Sequence, residues 1–254
     1  MLSQEQSKAY CKQYKGIENF LKKRGRVGDD VLREICALRG YYPERMCSIL
    51  KEAGFFYLEE LSEVDIKKLR KLGPDYGLFS KEGNFILNNR YVFPVRDMLG
   101  NTIALIGWYP DTKKYITTSS RLFSKQGLFF GMEQLQKTGL GKPYFLVEGI
   151  FDCLSVRSLG FNCIAQMGIT DSRYKNVMYS FFSRLVAIPD NDPEGRGVVG
   201  YDKWHLPRNG KYFRWIGDKS KDIDTLCNSY EYEDVKDLLE GIHEDKRRVV
   251  TIRV

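Results

Sequence analysis

The chain has 254 residues, of which 43% are hydrophobic and 13% aromatic, so it can bury a sizeable core and is not an intrinsically disordered protein. Its apolar runs are too short to cross a bilayer, and its polar, basic N-terminus has no secretory h-region; we therefore expect a cytoplasmic protein without a membrane partner. The net charge of +7 is uneven: residues 1–142 carry 24 Lys and Arg against 16 Asp and Glu, whereas residues 143–254 carry 16 against 17. This asymmetry predicts one surface for a polyanion and another for cations.

The first 72 residues have the pattern of several short helices. Gly40 and Gly54 are typical of helix ends, and Pro43 is typical of a first helical position. Ser62, followed three residues later by Asp65, resembles a capping box that opens another helix. The sequence therefore predicts a helical N-terminal part.

From Phe85 onward the hydrophobic pattern changes to that of strands. Residues 89–97 and 102–109 are predicted to form two strands joined by a turn at Gly100, and residues 113–116 form a third. Because Pro94 has no N–H, the first of these strands is expected either to lie at a sheet edge or to carry a bulge.

From Pro143 onward, strands and helices alternate. Predicted strands cover residues 145–147, 163–165, 185–188 and 212–216, and predicted helices cover 152–159, 172–182, a stretch after Gly195, and 231–242. This alternation predicts a parallel sheet with crossover helices, and such sheets place their ligands at the carboxyl ends of the strands.

Acidic residues follow three of these predicted strands. Glu148 follows the first, with Asp152 in the next helical turn, and Asp190 and Asp192 follow the third, on the same side of an extended segment. Asp222 and Asp224 follow the strand that ends at Ile216 and could reach the same end of the sheet.

Converging carboxylates repel one another unless a cation neutralises them, and oxygen ligands suit Mg²⁺. A single Asp-x-Asp more often caps a helix or forms a surface turn. Three acidic motifs in this order instead favour a metal site for phosphodiester chemistry on nucleic acid. A structural zinc site is not expected, since the six cysteines form no CxxC pair and there are only two histidines; the thiols should be reduced.

The acidic motifs resemble those of Toprim domains. Residues 147–152 (VEGIFD) are similar to the Toprim Glu-Gly motif followed by Asp, and residues 190–195 (DNDPEG) are similar to its Asp-x-Asp-x-x-Gly motif. Three further stretches resemble DnaG-type primases in particular: RYVFPVRD at 90–97, KYI at 114–116 with LFSKQG at 122–127, and KDIDTL at 221–226.

The resemblance implies an α/β fold: a Toprim parallel-sheet domain with helices on both faces, preceded by a mixed α+β basic subdomain. It implies a helical part over 1–84, a β-rich basic subdomain over 85–142, the Toprim domain over 143–226, and a C-terminal helical and strand segment over 227–254. Glu148, Asp190 and Asp192 would be catalytic and, with Asp152, Asp222 and Asp224, would bind Mg²⁺ or Mn²⁺ but no zinc. The residues implied to contact nucleic acid or nucleotide are Arg90, Arg96, Lys114, Arg121, Lys125 and Lys221.

The activity implied by the resemblance is DNA-dependent RNA primer synthesis. The implied partners are a single-stranded DNA template and ribonucleoside triphosphates, with a replicative helicase or a separate zinc-domain protein as further candidates, in a bacterial cell or a phage-infected host. No pairs of zinc ligands occur and only 28 residues follow Leu226, so we expect a core without zinc-binding and helicase-binding modules, typical of a phage or mobile element. Trp108 and Thr225 stand where the family has Arg and Glu.

Two alternatives stay open. A Toprim-type nuclease could use the same carboxylates for metal-dependent hydrolysis. A non-catalytic nucleic-acid-binding replication factor would bind in a salt-sensitive way and would be indifferent to the loss of Glu148.

Overall fold

The computed structural model describes residues 4–73, 76–112, 114–118, 128–167, 173–191, 210–216, 220–245 and 249–253. The chain forms two compact units, Met1–Lys125 and Gln126–Val254. In the described residues, no helix is both long enough and apolar enough to cross a membrane. All six cysteines are free thiols.

The first unit contains the predicted short helices, and the sequence signals agree with the bounds of the second, third and fourth. They are α1 (Gln4–Lys22), α2 (Asp29–Arg39), α3 (Pro43–Ala53) and α4 (Glu63–Lys71). Gly40 and Gly54 close α2 and α3 in the left-handed conformation, with φ of 73° and 76°. The Ser62 hydroxyl accepts a hydrogen bond from the Asp65 N–H at 3.2 Å and so caps α4.

An antiparallel sheet completes the first unit. Its strands are β1 (Phe56–Leu58), β2 (Arg90–Arg96), β3 (Thr102–Tyr109) and β4 (Lys114–Thr117), in the order β1-β2-β3-β4. The short strand β1 is not apparent from the sequence, because three residues are too few to show a period. Gly100 takes a φ of 77° in the predicted turn between β2 and β3.

Strand β2 lies between β1 and β3 in this sheet, but only part of its length is paired on both sides. β1 pairs only with residues 90–92 and does not reach Pro94, which therefore needs no N–H on that side. The strand also carries the predicted bulge, because the register between β2 and β3 shifts between Val95 and Arg96, one residue beyond the proline.

Helix α1 covers one face of this sheet. Its buried residues recur at helical spacing, at Tyr10, Tyr14, Ile17 and Leu21, and they share a core with Phe56, Leu58, Val92 and Leu105 of the strands. Elements on either side of residue 85 therefore share one core, whereas the four-part division drawn from the sequence stays a prediction.

The second unit is built on the predicted parallel sheet. Its strands are β5 (Tyr144–Val147), β6 (Cys163–Ala165), β7 (Leu185–Ala187), β8 (Lys211–Ile216) and β9 (Val249–Arg253), in the order β6-β5-β7-β8-β9. All four neighbouring pairs are parallel. The predicted fold class is confirmed.

Helices cover both faces of the parallel sheet. They are α5 (Leu135–Thr138, after a 3-10 turn at Met132–Gln134), α6 (Ile150–Ser158), α7 (Arg173–Ser180), α8 (Ile223–Ser229) and α9 (Tyr232–Glu244). One face packs through Tyr144 and Leu146 against Met178 of α7, and the other brings Phe145 against His243 of α9. The helix predicted after Gly195 lies outside the described residues, and α8 is an element that the sequence pattern did not predict.

Candidate active site

Neighbouring strands β5 and β7 bring Glu148 and Asp190 together. Leu146 of β5 is in register with Ala187 of β7, so the two strands end at the same side of the sheet. The Asp190 N–H donates a hydrogen bond to Glu148 Oε1 at 3.1 Å. The predicted convergence of these two strand ends is therefore observed.

The segment Ser220–Asp224 joins the same end of the sheet through Asn191. The Asn191 N–H donates to the Lys221 carbonyl at 2.6 Å, and its side-chain Nδ2 donates to the Ser220 carbonyl at 2.8 Å. Asp222 and Asp224 are thereby held beside Asp190. These residues, together with Glu148 and Asp152, are called the acidic cluster below.

Asp152 lies at the centre of the acidic cluster and is only 8% exposed. Its Oδ2 accepts the Gly149 N–H at 3.1 Å, and its Oδ1 accepts the Asp224 N–H at 3.2 Å. Both oxygens thus bind backbone amides, one in the turn that carries Glu148 and one in the first turn of α8, which carries Asp224. A Cβ atom at Gly149 would lie 2.6 Å from Asp152 Oδ2, so the close approach requires glycine.

Asp222 and Asp224 differ in their surroundings. Asp224 is 4% exposed and accepts a hydrogen bond from Ser155 Oγ of α6 at 2.5 Å. Asp222 is half-buried and caps α8, because its Oδ1 accepts the Thr225 N–H at 2.7 Å and the Thr225 hydroxyl at 2.6 Å. Asp152 and Asp224 are therefore buried members of the cluster, and Glu148, Asp190 and Asp222 are its accessible members.

The acidic cluster creates a strongly negative environment. Burial raises the pKa of Asp152 well above its ordinary value, and the charges of Asp222, Asp190 and Asp224 raise it further. Burial also raises the pKa of the Cys227 thiol, with Asp224 and Asp152 adding to the effect. These carboxylates are close enough to repel one another, so a bound cation would relieve the repulsion.

The donor chemistry of the cluster suits a hard divalent cation, since the side chains offer carboxylate oxygens. Within the described residues, however, no three Asp, Glu, His or Cys side chains are grouped closely enough to hold a metal. Asp192, the remaining predicted ligand, lies outside the described residues. The described carboxylates fit the cation by their chemistry, and Asp192 as a further ligand stays a prediction.

Arg90 and Lys114, two of the predicted basic contacts, lie on one face of the antiparallel sheet. Arg90 and Lys114 flank Tyr109 across three strands, and the Arg90 guanidinium lies 5.4 Å from the Tyr109 ring centroid. Arg90 Nε donates to the Ile86 carbonyl at 2.9 Å. A Cβ atom at Gly107 would lie 2.7 Å from Arg90 Cδ, so glycine leaves room for the arginine. We call Arg90, Tyr109 and Lys114 the basic row.

The other predicted basic contacts have different positions. The Arg96 side chain is only 13% exposed; its Nη1 donates to the Ala53 carbonyl at 2.8 Å, and its Nη2 lies 3.5 Å from Glu18 Oε1. Arg96 therefore links α1 and α3, and its contact with nucleic acid stays a prediction. Lys221 is exposed beside the acidic cluster, while Arg121 and Lys125 lie outside the described residues.

Residues 145–227 match the family described as Toprim-like. They include every member of the acidic cluster. The chain carries a Toprim-like domain.

Curated relatives of this chain are bacterial DNA primases. The primase of Clostridium acetobutylicum is 30% identical over 122 residues, which cover 45% of this chain and 20% of that protein. The primase of Haemophilus influenzae is 24% identical over 240 residues, which cover 88% of this chain and 38% of that protein. The chain thus spans only a minor part of the length of the curated primases that it matches.

Solved structures extend the likeness beyond the Toprim-like domain to both units. A DnaG primase catalytic domain bound to single-stranded DNA has a TM-score of 0.74 at 18% identity, covering 94% of this chain and 80% of the other. The E. coli primase catalytic core has a TM-score of 0.71 at 18% identity, covering 91% and 79%. The resemblance to the DnaG-type primase core is confirmed at the level of the fold.

Sequence reasoning missed two side chains of the Toprim-like domain. The sequence interpretation assigned no role to Asn191, yet this residue binds the segment that carries Asp222. Ser155 gave no signal, because its partner Asp224 is 69 residues away in the chain. The one sequence signal for Asn191 was its position as an uncharged amide between the two aspartates of the Asp-x-Asp motif.

Proposed function

We propose that this chain catalyses DNA-directed synthesis of RNA primers by nucleotidyl transfer. The observation that carries the proposal is the acidic cluster, gathered at the ends of neighbouring parallel strands in a chain with the fold of the primase catalytic core. The curated relatives, all bacterial DNA primases, support the same reaction.

Glu148 and Asp190 of the acidic cluster would hold Mg²⁺ or Mn²⁺ together with Asp192, with Asp222 as a further accessible carboxylate. When bound, such an ion would supply charge stabilisation for the phosphoryl oxygens of the incoming nucleotide. Asp152 instead organises the site, since both of its oxygens accept backbone amides of neighbouring loops. Asp224 is buried and accepts a hydrogen bond from Ser155, so it would stabilise the cluster without being accessible to a cation.

The basic residues would bind the polyanionic substrates, single-stranded DNA template and ribonucleoside triphosphates. The basic row offers an arginine, an aromatic ring and an exposed lysine side by side, a combination that favours phosphate contacts without sequence selection. Exposed Lys221 would add positive charge for a triphosphate, and Arg121 and Lys125 keep the nucleic-acid role that the resemblance implies.

Primer synthesis on single-stranded DNA with labelled ribonucleotides tests this proposal. We expect wild-type protein to make short RNA products in Mg²⁺ or Mn²⁺. Asp190→Ala should reduce them at least a hundredfold, because it removes a carboxylate from the acidic cluster. Asp237→Asn is the matched control, since it removes one charge from an exposed position of α9 in the same unit and should leave synthesis unchanged.

Two results would contradict the proposal. Metal-dependent cutting of DNA or RNA without nucleotides, and without synthesis, would assign the cluster to a nuclease. Salt-sensitive DNA binding with neither synthesis nor cutting, unaffected by Glu148→Ala, would leave only a binding factor.

A further inference from the structure

Two uncharged side chains anchor the Ser220–Asp224 segment from opposite sides. Asn191 binds its beginning, with the N–H on the Lys221 carbonyl at 2.6 Å and Nδ2 on the Ser220 carbonyl at 2.8 Å. Ser155 of α6 binds its end, with Oγ on Asp224 Oδ1 at 2.5 Å. Ser155, Ser220 and Asp224 are at most 6% exposed, so water cannot easily replace these bonds.

The charges around this segment make such anchoring necessary. The segment brings Asp222 and Asp224 to the other carboxylates, since Asp152 Oδ1 accepts the Asp224 N–H at 3.2 Å and Asn191, next to Asp190, binds Ser220. Although the Asp224 N–H binds Asp152, repulsion between the carboxylates of the segment and those of the rest of the cluster favours their separation. Hydrogen bonds from an amide and a hydroxyl oppose that movement without neutralising any carboxylate, which leaves the negative charge available for a cation.

The chemistry of residue 191 fits this role closely. An aspartate there would lack the side-chain N–H donor and would add a further negative charge. An alanine or glycine would keep the backbone bond to Lys221 and lose the bond to Ser220. Asparagine supplies both donors and no charge.

We propose that Asn191 and Ser155 are positioning residues, which hold the Ser220–Asp224 segment so that Asp222 stays with Glu148 and Asp190 at the acidic cluster. The consequence for catalysis rests on the proposed nucleotidyl transfer. The anchoring of the segment is independent of the reaction and can be measured in metal-free protein.

Amide hydrogen exchange of the metal-free protein tests the anchoring. Asn191→Leu keeps the approximate shape of the side chain and the backbone bond to Lys221 but has no side-chain N–H for the Ser220 carbonyl. We expect peptides covering residues 220–229 to exchange at least fivefold faster than in wild type. Asn162→Leu is the matched control, because Asn162 Nδ2 also donates to a backbone carbonyl of the same unit, that of Pro143, at 3.2 Å. It should leave exchange of these peptides unchanged.

Ser155→Ala provides a second variant that removes a single oxygen atom from α6. It should speed exchange of the same peptides. Its control is Ser158→Ala, which removes a hydroxyl bonded to the Ser155 carbonyl within the same helix. Equal exchange of these peptides in the Asn191 and Asn162 variants, and in the Ser155 and Ser158 variants, would overturn the proposal.

The Mg²⁺ dependence of primer synthesis tests the catalytic consequence. Asn191→Leu should raise the Mg²⁺ concentration for half-maximal synthesis about tenfold, with a smaller effect on the rate at saturating Mg²⁺. A loss of rate with unchanged Mg²⁺ dependence would count against positioning. Absence of synthesis by wild type would refute the proposed function, while the exchange result would still decide the anchoring.

Discussion

At the scale of single residues, Glu18 shows how the first unit uses a buried charge. The side chain of Glu18 is fully buried and binds Lys15, Lys22 and Thr102, at distances of 2.5–2.9 Å. Burial alone would raise its pKa, but hydrogen bonds from Lys22 and Thr102, with the charge of Lys22, outweigh burial and lower the pKa to about 2. The ionised form of Glu18 therefore stabilises the folded state.

Replacing Glu18 by Gln should lower the free energy of unfolding at pH 7 by about 2–3 kcal/mol, because the variant loses a charge that the folded state favours. Since the folded-state pKa is depressed, this stabilisation is complete above about pH 5. It is lost as the pH falls from the ordinary value of 4.5 toward 2. Urea unfolding at several pH values measures the difference between variant and wild type, which should shrink through this window.

Exposed Glu5 on the same helix supplies the control for that measurement. Glu5→Gln should change the free energy of unfolding by less than about 0.5 kcal/mol. A stability difference between Glu18→Gln and wild type that stays constant from pH 7 to pH 2 would refute the role assigned to the Glu18 charge.

Gly149 gives a second prediction at the residue scale. Gly149→Ala should displace the Asp152 carboxylate, since the added Cβ would lie 2.6 Å from Asp152 Oδ2. We expect primer synthesis to fall at least tenfold, because Asp152 then no longer holds both loops of the acidic cluster. In Gly141→Ala the added Cβ meets no atom within 4 Å, so the rate of primer synthesis by this variant should match that of wild type. Equal rates for both alanine variants would show that this contact is unimportant.

At the scale of elements, a parallel sheet collects residues from distant parts of the chain. The two strands β5 and β7 are separated by α6, β6 and α7 in sequence and are neighbours in the sheet. Their carboxyl ends lie side by side, which places Glu148 near Asp190 across 42 residues of chain. Because this geometry is general for such sheets, the sequence alone could predict the pairing.

In the antiparallel sheet, Gly107 leaves the space that the Arg90 side chain of the basic row occupies. Gly107→Ala should lower the free energy of unfolding by about 1–3 kcal/mol, since a Cβ there would lie 2.7 Å from Arg90 Cδ and 2.9 Å from Leu87 Cδ2. It should also weaken binding of single-stranded DNA by displacing Arg90. Chemical unfolding and fluorescence anisotropy with labelled DNA measure the two effects.

Gly16→Ala is the control for Gly107→Ala, because a Cβ at Gly16 in α1 meets no atom within 4 Å. This substitution should stabilise the protein by about 0.5–1 kcal/mol, as alanine favours a helix interior over glycine. DNA affinity should be unchanged. Wild-type stability and wild-type DNA affinity in Gly107→Ala would contradict the prediction that a Cβ at this position displaces Arg90.

At the scale of the whole molecule, the charge is divided along the chain. Residues 1–142 have an excess of basic residues, and the acidic cluster lies in the second unit. If the basic residues bind DNA phosphates, the affinity for single-stranded DNA should fall at least tenfold between 50 and 200 mM NaCl, because binding releases counterions. Anisotropy titrations at several salt concentrations measure the slope, and an affinity independent of salt would refute a phosphate-dominated interface.

The sequence by itself determined the order of the longer elements, the parallel sheet and the positions of the acidic motifs after its strands. These features follow from local signals: hydrophobic period, helix caps, and carboxylates placed where a strand stops. The described helix ends at Gly40 and Gly54 and the cap at Ser62 agree with those signals. Short elements without a clear period, such as β1 and α8, escaped prediction.

Only the tertiary structure decided which of the predicted site residues are accessible and which are engaged elsewhere. It buries Asp152 and Asp224 beneath Glu148, Asp190 and Asp222, and it turns Arg96 toward Glu18. It also reveals that Asn191 anchors the segment carrying Asp222. The hydrogen-bond partners of Asp224, Asn191 and Arg96 lie 69, 29 and 78 positions away in the chain. Such long-range contacts leave no local pattern in a sequence.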